Sequence, residues 1–230
     1  METNNEQEVV KKSGLSLPGA IVVAGFLISL AILFSSSGGD NPKQAESGIV
    51  TSKDVAIPEV TEGDFIQGSS KADITIVEYS DFSCGFCAKY HPTMKQIVSN
   101  YEGKVKWVYR HLPIFNKPAA VSSSCVGNIL GDEAFFKYAD KLFENQKDIN
   151  SDLLKREALA LGLKDSEYDS CINDKVLNDK ISSEFTSVRV LAGFNGTPTS
   201  VLIDKDGNMY PFSGALPYEE VSALVDSFLI

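Results

Sequence analysis

The sequence has few of the residues that bind metals. Its 230 residues include four cysteines and two histidines, with one Cys-x-x-Cys pair, no second such pair and no His-x-x-x-His. A structural zinc ion normally takes four protein ligands, often from two paired motifs. A site built on Cys84, Cys87 and His91 would lack its fourth ligand, so the scarcity argues against a metal site.

Positive charge is scarce as well. Lysine and arginine number 21 against 31 aspartates and glutamates, which gives a formal net charge of -10. An acidic surface repels phosphates, so nucleic acid is not expected as a partner. Internal repeats are absent, and the length suits one folded domain with an appendage.

Charge is missing altogether from residues 15–34, which read LSLPGAIVVAGFLISLAILF. About 20 apolar residues span a bilayer as a helix, so we expect a transmembrane anchor. The alternative is a cleaved secretory signal. The run is longer than a usual signal core, however, and no A-x-A site follows it. No cysteine that could take a lipid follows it either.

The residues around this run predict its orientation. Lys11 and Lys12 precede it, which favours a cytoplasmic tail at residues 1–14. Residues 35–60 contain Ser35-Ser36-Ser37-Gly38-Gly39 and read as a flexible linker. The expected location is therefore a single-pass cell-membrane protein whose domain at residues 61–230 lies outside the cytoplasm, in an oxidising space.

The Cys-x-x-Cys pair lies between a strand pattern and a helix pattern. Ile74–Tyr79 is rich in β-branched residues and predicts a buried strand, and a helix follows from Cys84 to about Asn100. At a helix start, unpaired N–H groups and the helix dipole stabilise a thiolate. We therefore expect Cys84 to be the attacking nucleophile and Cys87, one turn later, the resolving thiol.

The remaining pattern predicts an α/β fold. A second strand at Val105–Arg110 is followed by helical periodicity over residues 117–191, whose apolar stripes read as core. Thr199–Ile203 and Met209–Phe212 then read as a hairpin around the turn at residues 204–208, before a closing helix from Pro217. The expected order is βαβ, a block of helices, then ββα.

This arrangement resembles the thioredoxin fold with a helical insertion, and more narrowly the DsbA-like thiol–disulfide oxidoreductases. Three features carry the resemblance: the motif Asp81-Phe82-Ser83-Cys84-Gly85-Phe86-Cys87 followed by His91-Pro92, the tripeptide Gly196-Thr197-Pro198 before a strand, and the helical insert between them. It covers about residues 60–230.

The resemblance implies roles for residues outside the cysteine pair. It places a buried acid at Glu78, which would exchange a proton with Cys87; the alternative is a surface-facing strand residue. It makes Pro198 a cis proline, the alternative being an ordinary turn proline. Thr197 would then pair its main chain with an extended substrate, with Phe86 as a further substrate-binding residue. Asp81 is expected to be exposed.

The dipeptide between the cysteines departs from the family pattern. Strongly oxidising relatives carry Pro-His there and thioredoxin carries Gly-Pro, whereas this chain has Gly85-Phe86. The missing histidine removes a donor and a positive charge beside the Cys84 thiolate. We expect a reduction potential between those of thioredoxin and DsbA, about −270 and about −120 mV.

Cys125 and Cys171 fall in different helices of the insertion, and neither belongs to a Cys-x-x-Cys pair. We expect a structural disulfide between them. Two buried free thiols, or direct exchange with the active pair, remain as alternatives.

These expectations favour a membrane-anchored enzyme that forms disulfides in exported, cysteine-containing proteins. It would need no dissociable cofactor, because the cysteine pair is the redox centre, and the resemblance implies reoxidation by a quinone-linked membrane partner such as DsbB. The alternatives are a disulfide isomerase or reductase of the same fold, and a non-catalytic metal carrier or chaperone module.

Overall fold

The structure, a computed structural model, describes residues 56–229. Five strands form one sheet in the order β1-β3-β2-β4-β5. Their bounds are β1 Phe65–Gly68, β2 Ile74–Ser80, β3 Val105–His111, β4 Thr199–Ile203 and β5 Met209–Ser213. The pair β2–β3 is parallel and the other three pairs are antiparallel.

Seven α-helices accompany the sheet within residues 56–229. Their bounds are α1 Gly85–Asn100, α2 Lys117–Leu130, α3 Asp132–Glu144, α4 Ser151–Ala160, α5 Asp165–Ile172, α6 Lys175–Leu191 and α7 Tyr218–Asp226, with a 3-10 turn at Gln146–Asp148. The helices α2 to α6 form the insertion expected from the sequence at residues 117–191.

The centre of the sheet positions the site. Every residue of β2 is buried, because β2 lies between β3 and β4 and has helices on both faces. α1 connects β2 to β3, and both strands carry their carboxyl ends to the same edge. The Cys-x-x-Cys motif therefore lies at the end of a rigid, fully covered strand.

The two faces of the sheet have separate cores. On one face, Trp107 and Tyr109 of β3 pack in a cluster with Met94 and Ile97 of α1 and with residues of α2 to α5 and α7. On the other face, a smaller cluster packs Val188 of α6 against β2 and β3. Successive strand residues alternate between the two cores, as strand geometry requires.

The expected order of elements is confirmed, with one addition. The edge strand β1 pairs antiparallel with β3 and was not expected from the sequence. It has only four residues and ends at Gly68, whose φ of 110° favours glycine. Its short sequence, FIQG, has no clear alternation of apolar and polar residues, so only its pairing with β3 identifies it as a strand.

The expected cytoplasmic tail, transmembrane anchor and most of the linker lie outside the described residues. Among residues 56–229, no helix has both the length and the apolar character needed to span a bilayer.

Candidate active site

Cys84 occupies the residue immediately before α1. Its main-chain N–H donates to the Asp81 carbonyl at 3.0 Å, and its own carbonyl accepts from Ala88 N–H at 3.1 Å. The Gln146 amide Nε2 also donates to the carbonyls of Phe82 and Cys84, at 2.8 and 2.9 Å. The loop that carries the first cysteine is therefore held from both the helix and the insertion.

The loop before β4 lies directly against this cysteine. The Cys84 thiol donates to the main-chain carbonyl oxygen of Thr197, with 3.2 Å between Sγ and O. The Thr197–Pro198 peptide bond is cis. The loop therefore presents main-chain atoms and a proline ring to the Cys84 sulfur. Because proline has no N–H, it leaves no unpaired donor beside the sulfur.

Cys87 lies one helical turn behind Cys84 and is completely buried, whereas Cys84 retains 6% exposure. Both are free thiols. Burial, and then the charge of Glu78, raise the pKa of Cys87 well above its usual value, while Ser80, the Asp81 N–H and Thr197 act in the opposite direction. The protonated thiol is thus favoured at the inner position, and Cys84 is the more exposed of the two cysteines.

Glu78 is fully buried on the α1 face of β2. Burial raises the pKa of its carboxyl to about 7, although the side chains of Ser80 and Trp107 lower it in part. Neither carboxyl oxygen has a hydrogen-bond partner within residues 56–229. A carboxyl that titrates near neutrality beside a buried thiol can accept or give its proton at physiological pH.

Asp81 is buried, at 2% exposure, so the expectation that it is exposed was wrong. Its two carboxylate oxygens accept from the main-chain N–H groups of Ser83 at 2.7 Å, Phe115 at 2.6 Å and Asn116 at 3.3 Å. Three donors compensate for the loss of water around the carboxylate. Asp81 therefore ties the cysteine loop to the start of α2.

Two exposed phenylalanines are carried by the elements around the motif. Phe86 is 62% exposed beneath the Lys89 ammonium, which lies 5.5 Å from the ring centroid. Phe115 is 69% exposed, next to the main-chain contact with Asp81. Large exposed apolar side chains near a reactive sulfur are typical of a surface that binds other chains.

A family model described as thioredoxin matches residues 60–227, which is most of the chain. The chain belongs to the thioredoxin family. The match begins before β1 and ends after α7, so it includes the whole sheet and the helical insertion.

Solved structures show which thioredoxin-family fold this is. The chain superposes on alpha-DsbA1 of Wolbachia pipientis with a TM-score of 0.64 and 24% identity, over 76% of this chain and 92% of that one. For DsbA2 of Pseudomonas aeruginosa the TM-score is 0.59 and the identity 23%, over 75% and 96% of the two chains. The fold is thus the DsbA-like form of the thioredoxin fold.

Curated relatives add a second context for the same domain. The chain is 27% identical over 157 residues to the Na(+)/H(+) antiporter NhaA 3 of Salinispora tropica, and 26% identical over 176 residues to NhaA 1 of Salinispora arenicola. The matches cover 67% and 76% of this chain but only 23% and 26% of those proteins. The chain thus spans about a quarter of the length of the curated relatives that it matches.

His91 is bound to an aspartate in the structure. Its Nε2 lies 2.7 Å from Asp140 Oδ1, and the Lys95 ammonium lies 2.6 Å from the other oxygen of the same carboxylate. The ring packs against Trp107, with 5.2 Å between centroids. Among the described residues, no group of three acidic, histidine or cysteine side chains is placed to hold a metal ion.

A disulfide joins Cys125 of α2 to Cys171 of α5, with 5.8 Å between the Cα atoms. It ties together two helices of the insertion, and Cys125 is completely buried. Its sulfurs are bonded to each other, so they are separate from the Cys84 and Cys87 thiols.

Sequence reasoning missed two residues that support the site in this thioredoxin-family chain. Gln146 and Asn116 contact the cysteine loop from the insertion, and the Asn116 amide donates to Ser83 Oγ at 2.9 Å. Asn116 precedes Lys117-Pro118, a helix-start pattern that could have drawn attention to it as an N-cap. Gln146 lies in a 3-10 turn with no local signal that points to the motif.

Proposed function

We propose that this chain is a thiol–disulfide oxidoreductase that forms disulfides in exported proteins. One observation carries the proposal: the Cys84 thiol, at the start of α1, contacts the Thr197 carbonyl oxygen at 3.2 Å, with the buried Cys87 one turn behind it. A more exposed sulfur, a fully buried partner sulfur and a main-chain edge that a substrate can pair with are the parts that exchange between protein disulfides requires.

The reaction begins from the disulfide between Cys84 and Cys87. A substrate thiolate attacks the more exposed Cys84 sulfur, forms a mixed disulfide with it, and displaces Cys87 as the leaving thiolate. A second substrate thiolate then attacks the substrate sulfur of that mixed disulfide and releases Cys84 as a thiolate. The substrate loses two electrons and gains a disulfide, and the enzyme pair is left reduced.

Glu78 serves the inner cysteine in this sequence of steps. The raised pKa of Cys87 means that this sulfur takes up a proton when it leaves. With a pKa of about 7, Glu78 holds such a proton at neutral pH and can take it back when Cys87 must attack again. The reaction needs no dissociable cofactor, because the two cysteines carry both electrons.

Substrate binding is assigned to the loop before β4 and to the nearby phenylalanines. The Thr197 N–H makes no hydrogen bond within residues 56–229, so it is free to pair with an extended segment, as in β-strand addition. The exposed ring of Phe86 adds apolar contact area beside Cys84. This arrangement suits unfolded, cysteine-containing segments rather than one small molecule.

The cellular setting is part of the proposal. An anchor at residues 15–34 and a linker at 35–60 would hold the domain outside the cytoplasm, within reach of proteins emerging from the membrane. Each turnover leaves the cysteine pair reduced, so a membrane oxidant of the DsbB class must restore it. The chain matches about a quarter of the length of proteins named Na(+)/H(+) antiporters, and antiporters act at membranes, which supports a location at the membrane.

The reduction potential of the Cys84–Cys87 pair tests the direction of electron flow. Equilibration of the protein with glutathione buffers, followed by alkylation of free thiols, measures it. We expect a potential above that of thioredoxin, about −270 mV, which favours donation of the disulfide. A value at or below that of thioredoxin would identify a reductase of the same fold.

Removal of the attacking sulfur tests whether the chain is an enzyme. Cys84→Ser should abolish oxidation of a dithiol peptide and reduction of insulin. Unchanged activity in that variant would discard the enzymatic assignment in favour of a non-catalytic module.

A further inference from the structure

Four polar side chains form a compact block on the α1 face of the sheet. In the parallel register of β2 and β3, Glu78 lies opposite Tyr109 and Ser80 lies opposite His111. Residues two apart on a strand point to the same face, so all four share one side. The block extends from Glu78 toward the carboxyl end of β3, where His111 is half-buried.

The block is buried but unpaired. The Glu78 carboxyl oxygens, Ser80 Oγ, Tyr109 OH and His111 Nδ1 have no hydrogen-bond partner within residues 56–229. Buried polar atoms are normally paired, and an unpaired one costs stability. A contiguous run of unpaired groups beside a thiol that must change protonation points to proton movement rather than to structural support.

Within the block, Ser80 influences the inner cysteine, Cys87, and Tyr109 packs against His111. Burial raises the pKa of Cys87, Glu78 and Tyr109, and the Ser80 hydroxyl acts on all three in the opposite direction. The rings of Tyr109 and His111 lie edge to face, with 5.4 Å between centroids. Phe82, in the loop before Cys84, packs against the rings of Tyr109 and His111, with 5.4 and 6.0 Å between centroids.

The block leads into a cavity that neither cysteine lines. Its volume is about 310 Å³, and Tyr109, His111 and Ser124 form part of its wall. The His111 Nε2 is bonded to Ser124 Oγ at 3.0 Å, which leaves Nδ1 as its unpaired atom. A cavity of this size with polar walls has room for water.

Burial, more than any nearby charge, keeps His111 neutral and available as a hydrogen-bond donor or acceptor. Burial lowers the pKa of His111 to about 3, and the positive charge of Lys180 on α6 acts in the same direction. The other charged groups of the wall are Glu59, Asp64, Arg110 and Glu184. Arg110 is paired with Asp64, with 2.6 Å between Nε and Oδ1.

We propose that Ser80, Tyr109 and His111 carry protons between Glu78 and the cavity beside β1 during disulfide exchange. The inference rests on the proposed function and deepens it. A substrate bound across Cys84 and Thr197 covers the face through which Glu78 would otherwise exchange protons with solvent. The route through Tyr109 and His111 of β3 ends at the cavity beside β1, which the substrate does not cover while the mixed disulfide exists.

One half-reaction isolates the step. The reduced enzyme attacks an aromatic disulfide reagent, dithiobis(nitrobenzoate), through Cys84 and releases one nitrothiobenzoate. The Glu78 carboxyl first passes its proton to the cavity, and the resulting carboxylate takes the proton of Cys87. Cys87 then attacks the Cys84 sulfur, the Cys84–Cys87 disulfide forms, and the second nitrothiobenzoate leaves. The first phase depends on reagent concentration and the second does not.

Tyr109→Phe and Ser80→Ala should slow the second phase by at least about tenfold and leave the first phase unchanged. The effect is expected to be smaller than the roughly 10²–10⁴-fold of a group that itself exchanges a proton with the reacting atoms. Ser80→Thr, which keeps a hydroxyl, should restore most of the rate. Tyr138→Phe is the matched control, because it removes another buried hydroxyl, one that donates to the Leu154 carbonyl at 2.8 Å, and should cost stability without slowing the second phase.

A measurement on the unaltered protein covers the case in which a variant fails to fold. The second-phase rate, plotted against deuterium fraction in the solvent, should curve, because several protons move together. A straight line, or second-phase rates unchanged in the folded Tyr109→Phe and Ser80→Ala variants, would overturn the route. A wild-type protein that shows no second phase at all would instead overturn the proposed function.

Discussion

The sulfur of Cys84 and the carbonyl oxygen of Thr197 lie 3.2 Å apart, although 113 positions separate the two residues in the chain. One belongs to the start of α1 and the other to the loop before β4. The contact places the Cys84 sulfur beside the main chain of Thr197, and the proposed function has a substrate segment pair with Thr197 and meet this sulfur.

Glu78→Gln should remove a pH dependence from stability. The pKa of Glu78 is raised from 4.5 to about 7 by burial, so its contribution to stability is fully present below 4.5 and is lost as pH rises through 7. The loss amounts to roughly 3 kcal/mol, at about 1.4 kcal/mol per pKa unit. Urea unfolding of wild type and variant across this range measures the difference.

The exposed Glu102→Gln is the control for this experiment. Its difference from wild type should stay flat with pH. A flat difference for Glu78→Gln as well would contradict the buried, neutral-pH carboxyl.

Gln146→Leu should loosen the cysteine loop. The substitution keeps the approximate volume but removes the donor to the carbonyls of Phe82 and Cys84. Two lost hydrogen bonds, at about 0.5–1.5 kcal/mol each, predict a destabilisation of about 1–3 kcal/mol, with slower peptide oxidation. Thermal unfolding and a peptide oxidation assay check both effects.

Asn145→Ala provides the comparison for Gln146→Leu. Its amide donates to the Lys141 carbonyl at 2.9 Å and does not contact the loop. Equal loss of activity in both variants would show that the 3-10 turn, rather than the Gln146 amide, supports Cys84.

Phe86→His should make the protein a stronger oxidant. A histidine between the cysteines adds a donor and a positive charge beside the Cys84 thiolate, which stabilises the reduced form. Each tenfold shift of the thiol–disulfide equilibrium toward the reduced form raises the reduction potential by about 30 mV. Glutathione equilibration measures the shift, and Phe86→Leu controls for the loss of the exposed ring. A lower potential in Phe86→His would contradict this reasoning.

Replacement of both Cys125 and Cys171 by alanine should affect stability and spare the chemistry. The bridge closes a loop with a separation of 46 residues, which predicts a loss of about 4 kcal/mol in the chain-entropy model. Urea unfolding measures it. Peptide oxidation should stay at the wild-type rate while the protein is folded; loss of oxidation in the folded variant would show that this pair takes part in exchange.

Elements with strong local patterns were predictable from the sequence. The β-branched run at Ile74–Tyr79 and the apolar stripes of residues 117–191 specify β2 and the insertion, because periodicity reflects burial. The order of the Cys-x-x-Cys and Thr197-Pro198 motifs was enough to indicate the fold. The residues of these two motifs could therefore be recognised from the sequence alone.

Residues whose roles depend on distant partners were not predictable in this way. Asp81 looked exposed beside a turn, yet its carboxylate is buried against main-chain donors of Phe115 and Asn116. Gln146 contacts the site from the middle of the insertion. Such contacts depend on tertiary packing, and a local pattern contains no information about them.

The most direct test of the account is the trapping of mixed disulfides on Cys84. In Cys87→Ala the resolving sulfur is missing, so substrates and the oxidising partner should accumulate as covalent complexes that a reducing agent releases. We predict a ladder of such complexes in membranes that contain the full chain, and none in the Cys84→Ala, Cys87→Ala double variant. The absence of any reducible complex in Cys87→Ala would contradict the claim that this cysteine pair exchanges disulfides with other proteins.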